Sequence, residues 1–294
     1  MELSLPTLAA LVVLGAAAGW LGALVGIGGG VILVPTLVLA FGVKTQVAVA
    51  ASLIGVAATS TAAGSAYVGS GLTNMRLGMT LEIATTIGGI TGGLVAMLIS
   101  PELLAGVFGV VMAITSALVF FDRGAQAKEK EPAEAERRAR PAVLGWESRE
   151  KLAGAYFDEH LHRMVHYEAR RIPVGAAVSL LAGTLSGMLG VGGGFLKVPA
   201  MSLGMKVPIR VAAATSNFMI GVTAISSLFV YFARGYVHPL LAAPIAIGVV
   251  GGSLLGARHS GKMPAKVLRL TLSAVLIGVA AQMVLRAMGV HLGR

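Results

Sequence analysis

The chain has 294 residues, 56% of them hydrophobic and 12% charged, with a mean hydropathy of +0.84 and a formal net charge of +10. A charged fraction about half that of an ordinary soluble domain excludes the soluble class and indicates a polytopic membrane protein. The absence of cysteine excludes a disulfide framework and a thiolate metal site. The excess of Lys and Arg reads as cytoplasmic loop charge, because no interleaved aromatic and basic stripe of the nucleic-acid-binding kind accompanies it.

Met1–Ser4 has neither a basic n-region nor a small-residue cleavage pattern after it, so Leu5–Val25 reads as a mature membrane helix rather than a signal peptide. It runs into Gly26-Ile27-Gly28-Gly29-Gly30, with Pro35 five residues on. Each glycine costs roughly 1 kcal/mol of helical stability relative to Ala, and Pro removes a backbone donor, so a broken helix is expected. In hydrocarbon the freed N–H and C=O groups need protein or a water-filled cavity, which places the loop inside the protein. Apolar segments follow at Val31–Phe41, Val47–Val68, Met79–Ile99 and Leu103–Phe121. Leu5–Val25 is already long enough to cross the bilayer, so the glycine loop reaches the midplane only if that helix starts above the interface or tilts strongly.

Asp122–Arg171 holds 10 of the 13 acidic residues and 11 of the 23 Lys and Arg, which makes it a solvated linker. Lys128–Arg140 is Ala-rich with mixed charge and reads as helical or disordered. Between Trp146 and Tyr167, the spacing of Leu152, Tyr156 and Met164 gives one face that could rest on the membrane surface. His162 and His166 have helical i,i+4 ligand spacing, with His160 beside them. Without convincing acceptors nearby, a solvated polar face is favoured and no metal site is assigned.

The second half repeats the first. Gly28 and Gly192 lie 164 positions apart, and so do Pro35 and Pro199, Ser52 and Ser216, Thr59 and Thr223, Gly71 and Gly235, Gly88 and Gly252, and Gly92 and Gly256. A register held without a gap signals internal duplication. The apolar segments recur at Ile172–Leu189, Phe195–Met205, Ile209–Ala233, Pro239–Ala257 and Ala265–Ala287. The expected organisation is membrane repeat 1–121, charged linker 122–171 and membrane repeat 172–294. With the linker cytoplasmic, Arg76, Lys206, Arg210, Arg258, Lys262 and Lys266 also fall inside, while Lys44, Arg234, Arg286 and Arg294 fall outside. This asymmetry favours two inverted repeats with both termini outside. The fold class is therefore all-α, with about eight spans that include or add to broken, hairpin-like helices at the glycine loops.

The doubled Gly-x-Gly-Gly-Gly…Pro pattern (Gly26–Gly30 with Pro35, Gly190–Gly194 with Pro199) is followed by small-residue runs ending in Ser, Ala50-Ala51-Ser52 and Ala214-Thr215-Ser216. It resembles the TauE/SafE sulfite exporter family, and the likeness covers nearly the whole chain apart from the linker. The resemblance implies secondary transport of a small sulfur-containing anion such as sulfite, sulfoacetate or a related organosulfonate.

Helices restarting after the glycine loops present free amides and the positive ends of their dipoles, a sensible anion site if the two enter from opposite faces. The bland alternative is that the glycines only permit tight packing. The candidate substrate residues are Gly28, Gly29, Gly30, Ser52, Gly192, Gly193, Gly194, Lys197, Thr215, Ser216 and Asn217. The hydroxyls can equally bond their own helix or a neighbour. Lys197 replaces Leu33 of the first copy and either binds substrate or snorkels to the interface. Glu82, whose repeat mate is Ala246, reads as an interfacial salt bridge with Arg76 in preference to a carrier of a coupling proton. With so few acids, proton coupling lacks visible machinery.

The function expected is export of the anion across the cytoplasmic (inner) membrane, with an inside-negative potential favouring exit by ~2.3 kcal/mol per charge at 100 mV. No catalytic residue, metal or cofactor is assigned, the partners are the small anion and the bilayer, and a homodimer is the candidate assembly. The alternatives are an intramembrane enzyme and a receptor or scaffold acting through the 122–171 loop. The first lacks any Gly-x-Ser-x-Gly elbow or His-Glu metal pair in its membrane segments.

Overall fold

A computed structural model describes residues 4–69, 71–121, 152–158, 163–259, 277–278 and 280–281. Among them the chain forms helices α1 (Leu5–Val25), α2 (Gly30–Leu39), α3 (Thr45–Gly69), α4 (Met75–Leu98) and α5 (Pro101–Phe121). A hairpin of β1 (Ala153–Asp158) and β2 (Arg163–Glu168) follows, then α6 (Ile172–Leu189), α7 (Gly194–Pro199), α8 (Ile209–Ala233) and α9 (Pro239–His259). Six of these, α1, α3, α4, α6, α8 and α9, are long and apolar enough to cross a membrane. The expected segment Ala265–Ala287 and the stretch Lys128–Arg140 fall almost wholly outside the described residues.

The duplication is structural as well as sequential. α3 and α8 share their bounds under the 164-residue shift, and α1 and α6 both end at a left-handed glycine, Gly26 and Gly190. Val56 of α3 and its own mate Ile220 of α8 both touch the space beside Gly28 and beside Gly192, so the pseudo-two-fold axis passes between them. Ser60, one turn after Val56, donates to the carbonyl of Asn217, one turn before Ile220. The two mates therefore cross antiparallel, and the axis that relates the repeats inverts them.

The repeats are interlocked rather than side by side. α1 lies along α9, with Gly248 against Val12, Gly252 against Ala16 and Gly256 against Trp20. α6 lies along α4 in the same manner, with Gly88 against Leu180 and Gly92 against Thr184. A Cβ at any of these glycines would collide with the facing backbone, so the small residues set how closely the helices approach. The opposite face of α4 is apolar and exposed through Met79, Ile83, Ile87 and Leu94, as expected of a lipid-facing stripe.

The glycine loops fold back along the helices that precede them. The amides of Gly26, Ile27 and Gly28 all point back to the carbonyl of Gly22, and Gly29 rests against the carbonyl of Ala18. The chain thus crosses as α1, doubles back along its last two turns, and restarts as α2 deep in the protein. Gly28 and Gly29 hold φ of 85° and 75°, and Gly192 and Gly193 hold 80° and 71°, a left-handed region that side chains disfavour. Pro35 remains inside α2, whereas Pro199 ends α7 and the chain widens into a π-helical turn over Ala200–Gly204.

The linker departs from the all-helical expectation. Residues 153–158 and 163–168 pair antiparallel, Ala153 opposite Glu168 and Asp158 opposite Arg163, because alternation and aromatic content favour strands here. Tyr156 is buried among Leu77, Leu81, Met201, Met205, Val211 and Met219. The Tyr167 hydroxyl accepts from Asn74 Nδ2 at 3.1 Å, which fastens the hairpin to the start of α4. The expected shared face of Leu152, Tyr156 and Met164 does not form: Leu152 and Tyr156 pack into this core, whereas Met164, opposite Phe157, is exposed on the other side of the hairpin, because alternate strand residues point to opposite faces. The helical His spacing fails: His166 lies on a strand opposite Ala155, and His160 and His162 lie outside the described residues. Among the described residues no cluster of three or more metal-ligating side chains occurs.

Candidate functional site

The first amides of a helix have no intrahelical acceptor, so the start of a buried half-helix is polar by construction. α2 starts at Gly30 and α7 at Gly194, and the two starts meet at the pseudo-axis. Gly30 abuts the carbonyl of Gly190 and Val191 Cα, and Gly194 abuts the carbonyl of Gly26 and Ile27 Cα. Because the repeats are inverted, α2 and α7 leave this point in opposite directions. Gly28, Gly29, Gly30, Gly192, Gly193 and Gly194 are thus brought together, backbone against backbone, and all are buried.

The hydroxyl candidates divide. Ser52 is committed, donating to the Gly190 carbonyl at 2.7 Å. Thr215 is committed as well, since its hydroxyl accepts from the Asn74 amide at 3.0 Å. Thr59 bonds back to its own helix at Gly55, 3.1 Å away. Ser216 and Asn217 behave differently: both are buried, and Ser216 Oγ and both Asn217 amide atoms have no hydrogen-bond partner within the protein. Asn217 shares the α8 face that carries Ala213, which touches Gly26, and Ile220, which touches Gly28, Gly192 and Gly194. A helix places residues three and four apart on one side, so this amide faces the glycine loops. Buried polar atoms without partners are uncommon in folded proteins, and leaving one costs about 1–3 kcal/mol.

Lys197 sits one turn into α7 and does not snorkel. It is 1% exposed, and its Nζ donates to Thr223 Oγ1 at 2.9 Å. Thr223 in turn donates to Glu82 Oε1 at 2.8 Å, with the Met219 carbonyl also within reach at 3.1 Å. Three elements, α7, α8 and α4, therefore join a base and an acid through one hydroxyl. The expected partner of Glu82 was Arg76, and that pairing is not formed: Arg76 is exposed while Glu82 is buried. The reason lies in the helix itself, where six residues separate the two and turn them to different faces.

Glu82 and Thr223 are the residues that sequence reasoning undervalued. The available signal was balance. Glu82 is the one acid within the apolar segments away from their ends, Lys197 is a base in the same situation, and a buried charge in a membrane needs a partner. The arrangement is also one-sided. The mates of Lys197, Thr223 and Glu82 are Leu33, Thr59 and Ala246, so the symmetry-related place, again drawn from both repeats, carries no charge.

These features can be set beside known proteins. The family model for the sulfite exporter TauE/SafE matches residues 11–283. A relative from Bacillus subtilis, described as probable membrane transporter protein YunE, is 30% identical over 281 residues, covering 93% of this chain and 96% of its own. One from Xylella fastidiosa, described as a probable membrane transporter protein, is 24% identical over 267 residues, covering 90% of each chain. An Arabidopsis thaliana protein named sulfite exporter TauE/SafE family protein 1 is 33% identical over 102 residues, 35% of this chain and 22% of its own. No solved structure matches the chain. Taken with its six membrane-length helices and doubled glycine loops, the chain is a multi-pass membrane transporter belonging to the sulfite exporter TauE/SafE family.

Proposed function

We propose that this transporter exports a small sulfur-containing anion, sulfite, sulfoacetate or a related organosulfonate, across the cytoplasmic membrane. The observation that carries the reading is the pair of orphaned polar side chains, Ser216 and Asn217, on the α8 face turned toward two glycine loops. A sulfonate presents several acceptor oxygens on a compact head. The Asn217 amide and Ser216 hydroxyl are donors of the right kind, and glycine lets a ligand approach backbone amides at the start of α2. Lys197, one turn beyond the second loop, supplies the positive charge an anion needs. In this reading Gly28, Gly29, Gly30, Gly192, Gly193 and Gly194 shape the site, while Ser52 and Thr215 hold its walls through Gly190 and Asn74.

The same reading places 1–121 and 172–294 as the two membrane repeats and keeps 122–171 on the cytoplasmic side. Both termini then lie outside, in accord with the distribution of Lys and Arg. In this reading the hairpin closes the cytoplasmic end where α4 of the first repeat meets the second repeat, through Tyr156 and Tyr167.

A binding screen tests it. Detergent-purified protein is titrated with sulfite, thiosulfate, sulfoacetate, taurine, sulfate and acetate while its melting temperature is followed. Stabilisation by a sulfur oxyanion that disappears in Asn217→Leu and Lys197→Met supports the site. Stabilisation by none of them, in protein that melts cooperatively, contradicts it.

A further inference from the structure

Glu82 uses one carboxylate oxygen on Thr223, and its other oxygen, Oε2, is buried with no partner. Lys197 lies across the same hydroxyl. As they stand, the ammonium and carboxylate cancel, which is how a buried charge persists in a membrane protein.

Among the described residues, the Thr85 and Thr86 hydroxyls also act on Glu82, but no charged side chain other than Lys197 does. α6 carries no titratable side chain. α8 carries Arg210, more than three turns before Thr223, and Tyr231, which donates to the Gly187 carbonyl at 2.8 Å. α7 carries Lys197 alone, α4 carries only the exposed Arg76 besides Glu82, and the hairpin contributes Tyr156, Asp158, Arg163, His166, Tyr167 and Glu168. Lys197 is the charge that acts on Glu82.

We propose that Lys197, Thr223 and Glu82 form the ion-coupling site of this transporter, at which one proton travels with each monoanion. The proposal rests on the anion reading above. When an anion oxygen replaces Thr223 at Lys197 Nζ, two negative charges face one positive. A proton taken up on Glu82 Oε2 from the open aqueous side restores neutrality. On the other side the anion leaves Lys197, Glu82 returns the proton to water, and Thr223 again bridges the pair. One anion and one proton cross together and no net charge moves, so flux follows the anion gradient and the pH difference rather than the membrane potential. Against the expectation that proton coupling lacks visible machinery, these three side chains would supply it. The symmetry-related place, with Leu33 from the first repeat and Ala246 from the second, lacks both charges.

The test has two arms. In the first, wild-type protein is reconstituted in liposomes loaded with methanesulfonate, a monoanion that does not titrate near neutrality, with a pH dye inside and the potential set by valinomycin. The expected result is efflux that alkalinises the interior in step with the anion and keeps its rate when the potential is changed. Efflux without proton movement, scaling with potential, overturns the proposal. The second arm needs no substrate: infrared spectra of Lys197→Met are compared with wild type and Lys197→Met/Glu82→Gln. The expected result is a protonated-carboxyl stretch in the single variant only, and its absence there overturns the linkage. Lys197→Gln serves equally if the Met variant does not fold. If neither methanesulfonate nor sulfite nor sulfoacetate moves, the anion reading fails and the coupling proposal with it, and the infrared arm decides the Lys197–Glu82 linkage alone.

Discussion

Lys197 and Glu82, brought from opposite repeats, share the single hydroxyl of Thr223, at 2.9 Å on one side and 2.8 Å on the other. This contact ties a half-helix that starts at a glycine loop to a helix whose outer face is apolar and exposed. It also makes the two charges conditional on each other.

That dependence predicts non-additive stability. Removing one partner of a buried pair costs about 3–5 kcal/mol, because the survivor is left uncompensated, while removing both is far milder. Lys197→Met and Glu82→Gln singly lower the melting temperature in detergent, and the double variant recovers most of the loss. A double variant as unstable as the sum of the singles would contradict the pairing.

Asn217 offers a separation of stability from function. Its mate in the first repeat is Leu53, fully buried in the equivalent place. Asn217→Leu removes an orphaned amide, so the protein melts at an equal or higher temperature, by up to about 1–3 kcal/mol of stability. Transport falls sharply in the same variant. Unfolding of Asn217→Leu, or undiminished transport, would show that the amide has another role.

The glycines predict a contrast between two superficially similar substitutions. Gly30→Ala drives a methyl group into the Gly190 carbonyl and Val191, at the junction of the two loops, and lowers both yield and melting temperature. Gly64→Ala, in α3 with open space around the added Cβ, is neutral or stabilises by about 0.5–1 kcal/mol through helix propensity. Comparing the two melts checks that the loops, and not glycine content in general, hold the repeats together.

Much of this architecture was legible in the sequence. The apolar run Ile209–Ala233 located α8 to the residue and Val47–Val68 located α3 to within two residues, and the glycine runs located both breaks, since left-handed backbone is nearly a glycine property. Inversion was legible through loop charge, and the antiparallel crossing at Ser60 and Asn217 shows it independently. Glu82 was misread because pairing along one helix is visible in sequence while pairing between α4 and α7 is not. Hairpin formation over residues 153–168 was missed because a short amphipathic stretch suits either period, and what selects the strand is docking of Tyr156 and Tyr167 onto α4 and α8.

The hairpin gives a pH prediction. Burial raises the Tyr167 hydroxyl above its ordinary value of 10.0, only partly offset by its bond to Asn74. A raised value in the folded state means that docking stability is complete below the ordinary value and is lost as pH climbs through the folded one. Phenolate absorbance should therefore show a late-titrating tyrosine that is missing in Tyr167→Phe. Loss of an ordinarily titrating tyrosine in that variant, with the late one kept, would place Tyr167 in solvent.

The most direct test of the account is flux. Proteoliposomes containing the wild-type chain, Asn217→Leu or Lys197→Met are loaded in turn with radiolabelled sulfite, sulfoacetate and methanesulfonate, with acetate as control, and efflux is timed. The account predicts rapid release of at least one sulfur oxyanion by wild type, slow release of acetate, and rates near those of empty liposomes for both variants. Equal release of acetate, or release by the variants at the wild-type rate, would contradict an anion site built from α7 and α8.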